Sequence, residues 1–192
     1  MKPFNIFLIG VGGQGIGMLS EVLQRAADHA GLTAKGVDTH GLAQRGGIVR
    51  SSIRIGDRVH SPLIAANQAD LVVALERHEA LRAVNTALRD GGTLIFYDAV
   101  WQPMETRVKG APEVGLDDLE KQCSLRNIRM IRVYNPALND AKMQNIILLA
   151  NILKHGLLPG VAREHFQQAL DDLMTRPVLD RNMIWFEREL EA

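Results

Sequence analysis

The sequence predicts a three-layer α/β domain, with a mostly parallel, mixed sheet that includes a hairpin and a helical C-terminal third. Three observations predict it. A short apolar run, Phe4 to Gly10, ends in glycines and is followed at once by apolar residues at helical spacing. Strand-length apolar runs then alternate with helix-period segments as far as Val133. From Ala141 onward only the helical period remains. No Pro/Gly/Ser-rich linker and no internal repeat divides the chain, so residues 1–192 are expected to form one domain.

Each element has its own signal. Phe4 to Gly10 reads as a strand buried on both faces. Ile16, Leu19, Leu23, Ala26, Ala27 and Ala30 mark a helix, with Gly31 at its C-terminal end. Thr33 to Asp38 is the next strand, which completes a strand–helix–strand unit with both strands parallel. In Val49 to Ser61, Val49, Ser51, Ile53 and Ile55 alternate with Arg50, Ser52 and Arg54. Gly56-Asp57 then suggests a two-residue hairpin turn into Arg58-Val59-His60. Ala69 to Leu75 reads as a strand and Glu76 to Leu88 as a helix. Thr93 to Tyr97 and Ile128 to Val133 are further strands. Between them lie an irregular excursion, Gln102 to Gly115, and a short helix, Leu116 to Leu125. Helices follow over Ala141 to His155, Val161 to Met174 and Asp180 to Leu190.

Composition narrows the function. Lys plus Arg is 22 and Asp plus Glu is 22, so no global basic field invites nucleic acid or an acidic membrane. The single cysteine, Cys123, excludes an internal disulfide and a four-cysteine cluster held by this chain alone. No apolar segment approaches the roughly 20 residues of a membrane span. The run after Met1-Lys2-Pro3 imitates a signal core but lacks a small-residue cleavage pattern, so a cytoplasmic protein is expected. The histidines show no HxH or HxxxH spacing, and no metal site is expected.

Two segments carry candidate chemistry. Gly10-Val11-Gly12-Gly13-Gln14-Gly15 satisfies G-x-G-x-x-G between a strand and a helix. Glycines there permit a tight turn and bring backbone N–H groups to an anion at the helix N-terminus, the Rossmann-like device for phosphate. Asp38 stands roughly where a ribose-binding acid belongs. The same glycines also serve if they only close the turn. The second segment, His40-Gly41-Leu42-Ala43-Gln44-Arg45-Gly46-Gly47, follows the second strand on the same sheet edge. There Arg45 beside two glycines is a suitable clamp for phosphate or carboxylate, or a tie to loop carbonyls. Arg50, Arg54 and Arg58 extend positive charge along the hairpin, as a solvated strand face also does. Glu76 suits either a helix N-terminal acid or the cleft, and Asn135-Pro136 reads as a turn.

The two segments together, GVGGQG and THGLAQRGGIVRSSIRIG, resemble the gamma-type subunit of 2-oxoacid:ferredoxin oxidoreductases. The likeness is greatest to the small (beta) subunit of the indolepyruvate type. It continues through SPLIAANQADLVVALERHEALR, where Ser61-Pro62-Leu63-Ile64, Ala69-Asp70 and Glu76 fit, and Asn145 matches a helix segment of that family. It weakens from Trp101 to Leu125, and Asn182-Met183-Ile184-Trp185-Phe186-Glu187 follows the family's ending only loosely. The resemblance implies an accessory subunit in coenzyme A-dependent oxidative decarboxylation, with electrons passed to ferredoxin. It implies that thiamine diphosphate and iron–sulfur clusters sit on a larger partner, with no cofactor held by this chain alone. Gly10, Gly12, Gly13, Gln14 and Gly15 would then form an anion-receptive turn, faced by Gln44, Arg45, Gly46 and Gly47. The competing readings are a stand-alone nucleotide-binding oxidoreductase, for which a Tyr-x-x-x-Lys set is missing, and a non-enzymatic module of the same fold.

Overall fold

A computed structural model describes residues 2–40, 46–100, 110, 113–138, 140 and 143–192. Its elements in chain order are β1 (Phe4–Val11), α1 (Ile16–His29), β2 (Ala34–His40), β3 (Ile48–Ile55), β4 (Ala69–Ala74) and α2 (Arg77–Thr86). They continue as β5 (Leu88–Tyr97), α3 (Leu116–Leu125), β6 (Arg129–Val133), α4 (Gln144–Lys154), α5 (Arg163–Leu173) and α6 (Arg176–Glu191). The described strands form one sheet in the order β2-β3-β1-β4-β5-β6.

Strand alternation builds two cores, one on each face. Ile6 and Leu8 of β1, Leu71 and Val73 of β4, and Ile95 and Tyr97 of β5 enter the core beneath α1, α4, α5 and α6. The intervening Ile9, Val72, Ala74, Leu94 and Phe96 enter the core beneath α2 and α3. A strand buried on both faces therefore reads as a continuous apolar run. In α4 every residue from Gln144 to Ile152 is buried, because the helix lies between the sheet and α6. Phe96, Phe166 and Phe186 are wholly buried, each contributing roughly 1.5–3 kcal/mol by burial.

β1, β4, β5 and β6 pair in parallel, whereas β3 runs antiparallel to both β2 and β1. The hairpin is therefore β2–β3, not a return through Gly56-Asp57. Arg58-Val59-His60 form no strand. With β2 on one side and β1 on the other, β3 has no free edge for a third partner. Gly56 N–H instead closes onto the Thr33 carbonyl at 2.9 Å. β2 and β1 are parallel in direction but separated by β3. Two further boundaries differ from the sequence reading. Leu88 begins β5 rather than ending α2, ahead of a register irregularity in the β4 pairing. α6 starts at Arg176, a turn earlier than expected, with a proline in its first turn. Most of the excursion Gln102 to Gly115 lies outside the described residues.

Candidate functional site at the glycine turn

β1 leads toward β3 and β2 on one side and neighbours β4 on the other, so the strand order reverses between β1 and β4. Ligands of open α/β sheets bind beyond the carboxyl ends of strands at such a switch point. The glycine turn occupies that position. Gly13 (φ 104°) and Gly15 (φ 83°) both take left-handed backbone, which glycine adopts without the steric cost of a Cβ. Gly15 is the N-cap of α1, which has no side-chain cap and no acidic residue in its first turn. The first turn of α1 thus supplies no counter-charge of its own to the positive end of the helix.

Gln14 has a role the motif does not reveal. Its side chain turns inward: Oε1 accepts from the Val11 N–H at 2.7 Å and Nε2 donates to the Leu75 carbonyl at 2.9 Å. The amide therefore bridges the ends of β1 and β4 across the switch point. Gly10 leaves room for it, since a β-carbon there would stand 2.9 Å from Gln14 Oε1 and 3.1 Å from Leu75 Cβ.

The second candidate segment meets the first by backbone pairing. Gly12 N–H donates to the Gly47 carbonyl at 2.7 Å, and Gly46 N–H reaches the Gly12 carbonyl at 3.4 Å. Gly10, Gly12, Gly13, Gln14 and Gly15 are thus brought together with Gly46 and Gly47. Gln44 and Arg45 lie outside the described residues. On the other flank, Asn145 Nδ2 donates to the Gly15 carbonyl at 3.2 Å. Among the described residues, Asn145 Oδ1 and Gln144 Oε1 are buried without a hydrogen-bond partner.

Asp38 sits on β2 beside α1, with Oδ2 3.8 Å from where a Gly17 β-carbon would be. The insertion of β3 moves β2 one strand away from the glycine turn. This displaces the acid from the place it holds when the two parallel strands are adjacent.

A second polar group lies along the same edge. Glu76 is wholly buried and caps α2, accepting from the N–H groups of Glu79 at 2.5 Å and His78 at 3.1 Å. His78 Nε2 accepts from Val114 N–H, so Nδ1 carries the hydrogen directed at Glu76 at 3.2 Å. The helix-capping reading of Glu76 accounts for these bonds. Glu79 is also wholly buried, and burial pushes its carboxyl up. Arg82, which bonds it, opposes that shift and Glu76 reinforces it. Beyond β5, Asp98 is clamped by two guanidinium groups, with Arg77 Nη2 at 2.6 Å and Arg132 Nη2 at 2.5 Å. Its sequence signal was only its place at a strand end. Asn135 makes the expected turn, Oδ1 accepting from Ala137 N–H at 3.0 Å, and its carbonyl receives the Tyr97 hydroxyl.

Among the described residues no group of three or more His, Cys, Asp or Glu side chains is arranged to hold a metal ion. Cys123, buried in the second core, is the sole cysteine of the chain and cannot supply a cluster's thiolates. No described helix is long and apolar enough to cross a membrane.

Comparison with known proteins agrees with this architecture. The model of the pyruvate ferredoxin/flavodoxin oxidoreductase family matches residues 5–192. Indolepyruvate oxidoreductase subunit IorB of Archaeoglobus fulgidus is 34% identical over 93% of this chain and 90% of its own length. The crystal structure of pyruvate oxidoreductase subunit PORC from Thermotoga maritima shares the fold, with TM-score 0.69 and 21% identity over 100% of this chain and 97% of that one. A 2-oxoglutarate:ferredoxin oxidoreductase from Magnetococcus marinus, with 2-oxoglutarate, coenzyme A and succinyl-CoA bound, contains the same fold. Its TM-score is 0.68 at 15% identity, over 98% of this chain and 30% of that longer one. With nearly its whole length matched in sequence and in fold, the chain belongs to the pyruvate ferredoxin/flavodoxin oxidoreductase family.

Proposed function

We propose that residues 1–192 act as one gamma-type domain, the small subunit of an indolepyruvate-type 2-oxoacid:ferredoxin oxidoreductase. The observation that carries this reading is the match over residues 5–192 together with the near full-length similarity to an indolepyruvate oxidoreductase subunit. In the complex, a larger partner bears thiamine diphosphate and the iron–sulfur clusters, and ferredoxin takes the electrons. Having one buried cysteine, this chain supports that division. A cytoplasmic setting fits it.

Within this reading Gly13 and Gly15 present the uncapped start of α1 to an anionic group of coenzyme A. Gly12, Gly46 and Gly47 allow the close backbone approach, while Gly10 makes room for Gln14, which holds the turn in place. Gln44 and Arg45 face the ligand, Arg45 as a bidentate partner for phosphate. The displaced Asp38 counts against a nicotinamide dinucleotide at this turn.

Co-purification from the native cell tests the assignment. A large thiamine-dependent, iron–sulfur partner is expected to accompany the chain. Isolation without a partner, with unchanged 2-oxoacid oxidation in a deletion strain, overturns it. In the assembled complex, Arg45→Ala is expected to impair coenzyme A use while leaving the melting temperature near wild type. Unaltered kinetics remove Arg45 from the site.

A further inference from the structure

The sheet face on the α2 side is covered unevenly. α2 and α3 pack over β1, β4, β5 and β6, while α1 covers β2 and β3 from the opposite side. The register places Lys35 opposite Arg54, Val37 opposite Ser52 and Thr39 opposite Arg50. Paired residues share a face, and Arg50 and Ser52 also pair with Ile9 and Phe7, which point into the α2-side core. Lys35, Thr39 and Arg50 are exposed, and Val37, Ser52 and Arg54 are half-buried.

Among the described residues, no carboxylate forms an ion pair with Lys35, Arg50 or Arg54 on this face. Lys35 stands directly across from Arg54, and like charges in register destabilise a sheet. Among the described residues, Arg54 bonds neutral acceptors, Asn5 Oδ1 at 2.9 Å and the Ser61 carbonyl at 3.1 Å. Arg50 lies near Glu79, whose carboxylate already receives Arg82 Nε at 3.0 and 3.2 Å. None of the β2 and β3 positions on this side is Asp or Glu, since Asp38 belongs to the α1 side. A chain of zero net charge thus places three cations around Val37 on this face. At the Arg50 end, the face runs into the Gly46-Gly47 segment bonded to Gly12.

We infer that this face, Lys35-Val37-Thr39 with Arg50-Ser52-Arg54, docks the larger catalytic subunit through a carboxylate-rich surface of that partner. The inference rests on the subunit reading above. Docking there supplies the missing counter-charge and seats the partner alongside the glycine turn. Complementary charge across such an interface acts chiefly on encounter rate and salt dependence.

The test measures association of the full-length chain with the large subunit of the same enzyme at low and high salt. It compares wild type, the double variant Lys35→Glu/Arg50→Glu, and Arg181→Glu on exposed α6 as a control. Wild-type affinity is expected to fall with salt. The double variant is expected to bind at least about tenfold more weakly at low salt and to lose most of that salt dependence. Lys35→Glu alone, which turns the pair with Arg54 attractive, is expected to hold or raise the melting temperature of the isolated chain while weakening assembly. A double variant that assembles like wild type, or a control weakened equally, overturns the docking face and leaves the subunit assignment standing. A wild-type chain that does not associate at any salt overturns the assignment and the docking face with it.

Discussion

Asn145 Nδ2 donates to the Gly15 carbonyl at 3.2 Å, joining the start of α4 to the N-cap of α1 across 130 residues of chain. Gly15 and Asn145 are in such close contact that a β-carbon on Gly15 would lie 2.4 Å from Nδ2. The glycine turn is therefore held from the side by a helix that the motif itself does not include.

This contact separates two glycines that look alike in sequence. A β-carbon at Gly13 would meet nothing within 4 Å, although φ is 104°. Gly13→Ala is expected to cost about 1 kcal/mol, from backbone strain alone. Gly15→Ala adds the collision and is expected to cost about 2–4 kcal/mol. Urea unfolding measures both. Asn145→Ala in the Gly15→Ala background should recover part of the loss, and strict additivity would mean that the two residues do not interact.

Gln14 is expected to be a structural brace rather than a ligand contact. Gln14→Leu leaves the buried Val11 N–H and Leu75 carbonyl without their partner, at about 1–3 kcal/mol for each group. Denaturant midpoints should show this loss without ligand present. A variant of wild-type stability that fails only in coenzyme A use would assign the side chain to the ligand instead.

Glu79 sets a pH dependence of stability. Burial raises its folded pKa above the unfolded value of 4.5, so between the two the folded state binds more protons. Its contribution to stability is full below the unfolded pKa and is lost as pH rises through the folded one. Glu79→Gln is expected to flatten that decline when unfolding is followed from about pH 4 to about pH 8. An unchanged slope would assign the decline to another group.

Cys123 is expected to be inert in the folded protein. Burial, partly opposed by Arg126, pushes its thiol up to about 11, so little thiolate exists near neutral pH. Native protein should resist alkylation by iodoacetamide and react once unfolded, read by mass spectrometry. Rapid labelling of native protein would contradict the buried placement.

Local chemistry makes much of the fold legible in the sequence. β1, α1 and α3 were readable because a strand buried on both faces is a continuous apolar run and a helix repeats every 3.6 residues. The meeting of the glycine turn with Gly46 and Gly47 was legible from strand direction, since both segments follow carboxyl ends on one sheet edge. The hairpin was legible in kind but not in place. Gly56-Asp57 is a good turn dipeptide, yet β3 already has partners on both edges.

By itself, then, the sequence determined the α/β class, the glycine turn at a strand–helix junction, and, through its single cysteine, that this chain alone cannot supply the thiolates of a four-cysteine cluster. Tertiary structure alone decided the insertion of β3 between β1 and β2, which displaces Asp38 and puts Lys35 opposite Arg54 on one face. It also decided that Gln14 bridges to Leu75 and that Asn145 holds Gly15. Strand order and contacts across 61 and 130 residues depend on which surfaces bury together, and no local period encodes that choice.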